Sequence, residues 1–174
     1  MDGCCTELSG CVLRNTRIEL ERLIRRVRLE NLLGDIRENT YKAHSWQLLK
    51  RTMATPIARC IRSLAGPCGI PCLDSIYFSD LTGGEHSYIE GHGGKDLDLI
   101  LYTPCELDRE KVEESLESCI ESAVTLLLSE MLTDDPKKIL GIPNIIEVHI
   151  VRDRRDLPYY NMVKYRSRTL TRLL

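Results

Sequence analysis

The sequence predicts an α+β fold, with a small mixed β-sheet, helices packed on one face and an N-terminal helical extension. Three short apolar runs bounded by turn residues, at about 74–80, 97–103 and 144–151, predict strands. Longer segments with apolar residues at helical spacing lie before, between and after these runs. The resulting order is helix, helix, strand, strand, helix, strand, helix, which is typical of a single sheet covered by helices.

Two helices are predicted before the first strand. Residues 1–11 are small and polar, so we expect them to be ordered only if a cysteine tethers them. Residues 14–33 carry an apolar stripe, and Gly34 suits the position that follows a helix end. A second helix is expected over about 41–64, and Pro56 should kink it or divide it in two.

The second half of the chain contains the clearest helical pattern, at about 107–132. A last helix, rich in basic residues, is expected over 158–172. We therefore divide the chain into an N-terminal helical segment, residues 1–66, and an α/β core, residues 67–174, that ends in the basic helix.

Charge is distributed unevenly along the chain, although the net charge is only −2. Residues 106–135 hold ten acidic and two basic side chains, whereas residues 152–172 hold seven basic and two acidic ones. The basic segment either binds a polyanion or neutralises the acidic helix. The arginines of residues 14–28 likewise form either an anion-binding face or a solvated face paired with glutamates.

The sequence contains eight cysteines. It shows no export signal and no apolar run of the roughly 20 residues that span a bilayer. We expect a cytoplasmic protein without a membrane segment. The sequence lacks the paired C-x-x-C spacing that would favour a structural zinc site. Intracellular disulfides occur in hyperthermophiles, and the excess of Arg over Lys is compatible with a thermophile. We expect one or two disulfides involving Cys60, Cys68 or Cys72, with buried free thiols as the alternative.

Residues 83–102, GGEHSYIEGHGGKDLDLILY, combine glycines with two carboxylates at the start of a strand. Asp96 and Asp98 would point to one face of that strand, with Cα atoms about 6.6 Å apart. Their mutual repulsion is removed by a hard cation such as Mg²⁺. The glycines would let backbone N–H groups approach a phosphate closely. The stretch therefore predicts a metal–phosphate site, and the alternative is a turn that leads into an ordinary strand.

Residues 76–101, IYFSDLTGGEHSYIEGHGGKDLDLIL, resemble the motif of the nucleotidyltransferase fold of DNA polymerase beta-like enzymes, among which the small minimal nucleotidyltransferases are closest in size. In that family an apolar strand leads to Gly-Ser, a Gly-rich turn and Asp-x-Asp on the next strand. Here Gly83 and Gly84 stand where Gly-Ser is expected. The family's serine hydroxyl helps to hold the terminal phosphates, so Thr82 or Ser87 would have to supply a hydroxyl.

The family also has a third carboxylate on a later neighbouring strand, for which Glu147 in IIEVHIV is the candidate. Glu147 and His149 alternate with apolar residues, as in a strand with one buried face. The alternative for Glu147 is a surface position on an edge strand. His149 either borders the site or is a packed strand residue.

The resemblance implies a two-metal Mg²⁺ site formed by Asp96, Asp98 and Glu147, with Gly83 and Gly84 receiving the triphosphate. The implied reaction transfers a nucleoside monophosphate from an NTP, with ATP expected, to a hydroxyl acceptor. The acceptor would be a protein or an RNA, and some small relatives modify a helical toxin as their partner chain. Two alternatives are a relative that binds but has lost turnover, as the glycine at position 84 suggests, and a nucleic-acid-binding adaptor that uses the arginine-rich segments.

Overall fold

The computed structural model describes residues 2–80, 96–157 and 169–174. In these ranges the chain forms a four-stranded mixed sheet and five α-helices, which confirms the α+β class. Short 3-10 turns lie at Thr40–Lys42 and Arg154–Asp156. The helices are α1 (Asp2–Arg26), α2 (Leu29–Asn39), α3 (His44–Ser63), α4 (Arg109–Leu132) and α5 (Pro136–Leu140), and the strands are β1 (Ser75–Asp80), β2 (Leu97–Tyr102), β3 (Ile146–Val151) and β4 (Thr169–Arg172).

The sheet has the order β3-β2-β1-β4, with β2 parallel to β3 and β1 antiparallel to both of its neighbours. A parallel pair needs a long connection, and α4 and α5 provide it between β2 and β3. One face of the sheet belongs to the hydrophobic core, because every second residue of β1, β2 and β3 is buried there. These core residues are Ile76, Phe78, Leu97, Leu99, Leu101, Ile146, Val148 and Ile150.

Helix α1 begins far earlier than the apolar pattern alone predicts. Residues 2–11 are helical, and Leu8 and Val12 are fully buried. Disulfides tether this segment to the rest of the chain, which is the condition under which order was expected. The three cross-links are Cys4–Cys68, Cys5–Cys119 and Cys11–Cys60.

The predicted end of the first helix at Gly34 is wrong. Helix α1 ends at Arg26, Arg28 has an extended backbone, and α2 runs through Gly34. Glycine costs about 1 kcal/mol relative to alanine inside a helix. Burial of Leu32 and Ile36 on the same side of α2 outweighs this cost. Likewise α3 continues through Pro56 without being divided.

The predicted last helix is wrong for its final residues, since Thr169–Arg172 form strand β4. Residues 158–168 lie outside the described part of the chain. Strand β4 pairs with β1, with Tyr77 opposite Arg172. This pairing gives hydrogen-bond partners to the backbone N–H and C=O groups along that edge of β1. A helix at residues 169–172 would have left these groups without strand partners.

Helix α4 lies along the outer edge of β3, and its glutamates accept hydrogen bonds from the strand backbone. Donor–acceptor distances are 2.8 Å from Ile150 N–H to Glu113, 2.9 Å from Val148 N–H to Glu117 and 2.9 Å from Ile146 N–H to Glu121. Four residues of helix advance about 6.0 Å and two residues of strand about 6.6 Å, so the two repeats match.

This glutamate ladder (Glu113, Glu117 and Glu121) is a structural role of the acidic helix that the sequence did not reveal. It covers an exposed strand edge, which would otherwise be open to pairing with other chains. Burial raises the pKa of Glu117, and the hydrogen bond from Val148 acts in the opposite direction. Three of the seven basic residues of the C-terminal segment, Lys164, Arg166 and Arg168, lie outside the described residues, so the predicted neutralisation of the acidic helix stays a prediction. Among the described ones, Arg155 pairs with Asp153.

Four disulfides join all eight cysteines, the fourth being Cys72–Cys105. The expectation of disulfides is confirmed, but their number is higher than expected, and the alternative of free thiols is wrong. Such bonds persist in oxidising compartments and inside hyperthermophiles. In the described part of the chain no helix is both long and apolar enough to cross a bilayer.

We predict that a thiol titration in denaturant without reductant finds no reactive cysteine, and that the same titration after reduction finds all eight. Reduction should also lower the melting temperature strongly, because each cross-link typically contributes about 2–4 kcal/mol. Reactive thiols in the unreduced, unfolded chain would contradict the cross-linked fold.

Replacing Glu117 with Ala should lower the free energy of unfolding by about 1–3 kcal/mol, since the Val148 N–H would lose its acceptor. Glu117→Gln should lose less, because the amide carbonyl still accepts. Urea denaturation measures both changes, with the exposed Glu114→Ala as the matched control. Equal stability of the Glu117 and Glu114 alanine variants would show that the ladder contributes nothing.

Candidate metal site

Two adjoining strands bring the three predicted carboxylates together. Asp96 directly precedes β2, Asp98 lies within it, and Glu147 of β3 is the register partner of Asp98. Asp98 and Glu147 therefore project from the same face of the sheet, opposite the core face. Asp96 is 8% exposed, and the side chains of Asp98 and Glu147 are 0% and 36% exposed.

Burial and mutual repulsion change the titration of this carboxylate cluster (Asp96, Asp98 and Glu147). Burial raises the pKa of Asp96 to about 9, and the charges of Asp98 and Glu147 add to the effect. Burial and the charge of Asp98 raise the pKa of Glu147 to about 7. At neutral pH the cluster thus retains protons unless a cation replaces them.

His149 completes the cluster on β3. Its Nε2 lies 3.5 Å from Oε2 of Glu147 and 4.0 Å from Oδ1 of Asp98, and its side chain is 15% exposed. Among the described residues, Asp98, Glu147 and His149 offer ligand atoms that all lie within 4.8 Å of one another. Of the two interpretations of His149, the structure thus favours the one that borders the site.

Lys50 is a functional candidate that the sequence reasoning missed. This α3 residue is fully buried, and its Nζ donates a hydrogen bond to the backbone carbonyl of Asp96 at 3.4 Å. This contact ties α3 to the chain where β2 begins, next to the segment that carries the carboxylates. A lysine between Leu49 and Met53, on the buried side of a predicted helix, was the available signal.

The predicted phosphate-binding residues cannot be placed beside this cluster. Thr82, Gly83, Gly84 and Ser87 lie outside the described residues, so their role remains a prediction. Asp80, the last residue of β1, is where the described chain ends before this segment.

No protein-family model, curated protein or solved structure matches this chain. The resemblance of residues 76–101 to nucleotidyltransferases therefore remains an expectation from the sequence motif.

Chemically, the cluster is suited to hold a divalent cation. Carboxylate oxygens are the usual ligands of Mg²⁺ and Mn²⁺, and an imidazole nitrogen is added by His149. Asp96, Asp98 and Glu147 would hold the ions that the resemblance implies. A metal bound there would polarise a phosphoryl oxygen or lower the pKa of a hydroxyl.

The raised pKa values predict that the metal-free protein becomes less stable as the pH rises from about 5 to 9. The unfolded values of Asp96 and Glu147 are near 3.8 and 4.5, and the folded values are about 9 and 7. Between these limits the folded state binds more protons than the unfolded state, so the free energy of unfolding falls as the pH increases.

Melting temperatures measured across this range in a chelator would check the trend. Asp96→Asn and Glu147→Gln should each flatten it, whereas the exposed Glu106→Gln should leave it unchanged. Added divalent metal should raise the melting temperature most at high pH. A melting temperature that stays level or climbs with pH in the chelated protein would refute the assigned protonation.

Proposed function

We propose that the chain is a divalent-metal-dependent nucleotidyltransferase that transfers a nucleoside monophosphate from an NTP to a hydroxyl acceptor and releases pyrophosphate. One observation carries this proposal: Asp98 and Glu147 are register partners on parallel strands, with Asp96 two residues before Asp98. Three carboxylates from two adjoining strands, preceded in the sequence by a glycine-rich stretch, are what the sequence resemblance implies for these enzymes.

In this proposal the protein acts mainly by positioning and charge neutralisation. Asp96 and Asp98 would hold one Mg²⁺, and Glu147 would join them in holding a second ion. The metals would supply electrostatic stabilisation of the phosphoryl group and an acceptor hydroxyl of lowered pKa. Lys50 positions Asp96 through the backbone contact described above.

The remaining roles follow the resemblance alone. Gly83 and Gly84 receive the triphosphate, with Thr82 or Ser87 supplying a hydroxyl, and ATP is the expected substrate. The acceptor is a protein or an RNA, and a helical partner chain is one candidate. A cytoplasmic location agrees with four disulfides if the organism is a hyperthermophile.

A second candidate function is nucleotide binding without turnover. The observation that favours it is the glycine at position 84, where the enzymes carry serine. A protein of this kind would keep the metal and the NTP bound and would regulate a partner instead of modifying it.

Release of pyrophosphate from NTPs with Mg²⁺ or Mn²⁺, with RNA and protein acceptors offered, tests the two candidates. We expect Asp98→Asn to lower the rate at least about a hundredfold, since a group that holds the charge-neutralising ion is lost. Asp96→Asn should behave similarly, and the exposed Glu106→Gln should retain full activity.

Two results would count against the enzyme. Equal rates for the wild type and both aspartate variants would show that the activity does not arise at this cluster. Metal-dependent NTP binding without pyrophosphate release in the wild type would favour the binding protein.

A further inference from the structure

One nitrogen donor lies within an otherwise oxygen-based cluster. Nε2 of His149 is 3.5 Å from a Glu147 oxygen and 4.0 Å from an Asp98 oxygen, and Asp98 is fully buried. The strand register explains the proximity, because Glu147 and His149 are two residues apart on β3 and therefore share a face with Asp98.

These separations suit a common metal centre. Bonds of about 2.0–2.2 Å to nitrogen and oxygen place neighbouring donor atoms of a tetrahedral or octahedral ion roughly 3.0–3.5 Å apart. The distance between Nε2 of His149 and Oε2 of Glu147 is already 3.5 Å. The 4.0 Å distance between Nε2 of His149 and Oδ1 of Asp98 is longer than this range by about 0.5 Å.

A cation would also remove the repulsion that keeps protons on the carboxylates. A metal ligand must be neutral imidazole, so the ion and not the histidine would neutralise Asp98 and Glu147.

The donor types decide which ion fits. Mg²⁺ is bound through carboxylates, water and phosphates, whereas imidazole suits later first-row metals such as Zn²⁺, and Mn²⁺ takes both carboxylate and imidazole ligands. We infer that Asp98, Glu147 and His149 form a mixed oxygen–nitrogen centre that takes a divalent transition metal, of the Mn²⁺ or Zn²⁺ class, with His149 as a direct ligand. This assignment deepens the proposed function, on which it rests for the role of the metal, and it makes His149 the residue that determines metal preference.

Calorimetric titration with Mn²⁺, Zn²⁺ and Mg²⁺ separately would test the assignment, with wild-type protein and His149→Gln compared. Removal of the ligand should weaken Mn²⁺ and Zn²⁺ binding at least about tenfold, as the loss of even an outer partner of a ligand does. Mg²⁺ binding should change less than about twofold, since Mg²⁺ relies on the carboxylates. The matched control is His44→Gln, at the exposed start of α3, which should bind all three ions as the wild type does.

A measurement on the unaltered chain covers the case in which His149→Gln does not fold. Anomalous diffraction from crystals soaked in Mn²⁺ should place the ion within about 2.3 Å of Nε2 of His149 and of oxygens of Asp98 and Glu147. An ion held by the carboxylates alone, or equal losses for Mg²⁺ and Mn²⁺ in His149→Gln, would overturn the assignment. So would the absence of any metal at this cluster.

The outcome separates the metal assignment from the proposed function. Mn²⁺ bound through His149 without pyrophosphate release would uphold the mixed centre and reject the transferase. Pyrophosphate release that depends on Asp98 but has the same metal preference in the wild type and His149→Gln would uphold the transferase and reject the mixed centre.

Discussion

The backbone of strand β3 has hydrogen-bond partners along both of its edges, and the candidate site depends on the strand position that these partners fix. On one side β3 pairs with β2 in a parallel register that sets Glu147 beside Asp98. On the other side Glu113, Glu117 and Glu121 of α4 accept hydrogen bonds from its backbone N–H groups. The ladder fixes the strand relative to α4, and α4 is anchored to α1 through Cys5–Cys119. A shift of β3 by one residue would move Glu147 and His149 to the core face.

The same helix thus supplies a connection, a strand cover and part of the core. Its apolar side packs into the core through Leu116, Ile120 and Leu128, and its acidic side follows the strand edge. The hydrogen bonds that the strand N–H groups donate to these carboxylates are charge-assisted and therefore stronger than neutral ones. The half-buried glutamates of the ladder are explained by these hydrogen bonds. The mutual repulsion of Asp96, Asp98 and Glu147 in a largely buried cluster points instead to a cation.

Disulfides account for the order of the N-terminal helix. Three of the four cross-links join α1 to other parts of the chain: Cys4 to Cys68, Cys5 to Cys119 and Cys11 to Cys60. They hold α1 parallel to α4 and antiparallel to α3. Because α3 carries Lys50, these cross-links also contribute to fixing the backbone of Asp96.

The sequence by itself determined three of the four strands, including the two that build the site, the helix over residues 109–132 and the candidate carboxylates. It could do so because alternation and helical spacing are local properties. It placed Asp96 and Asp98 at the start of a strand and Glu147 with His149 on one face of another. Tertiary structure alone decided what local patterns do not encode. Gly34 stays inside α2 because Leu32 and Ile36 are buried, and residues 169–172 form a strand because β1 offers an edge. The glutamate ladder, the contact of Lys50 with Asp96 and the cysteine pairing join residues far apart in the chain, so only the folded arrangement could define them.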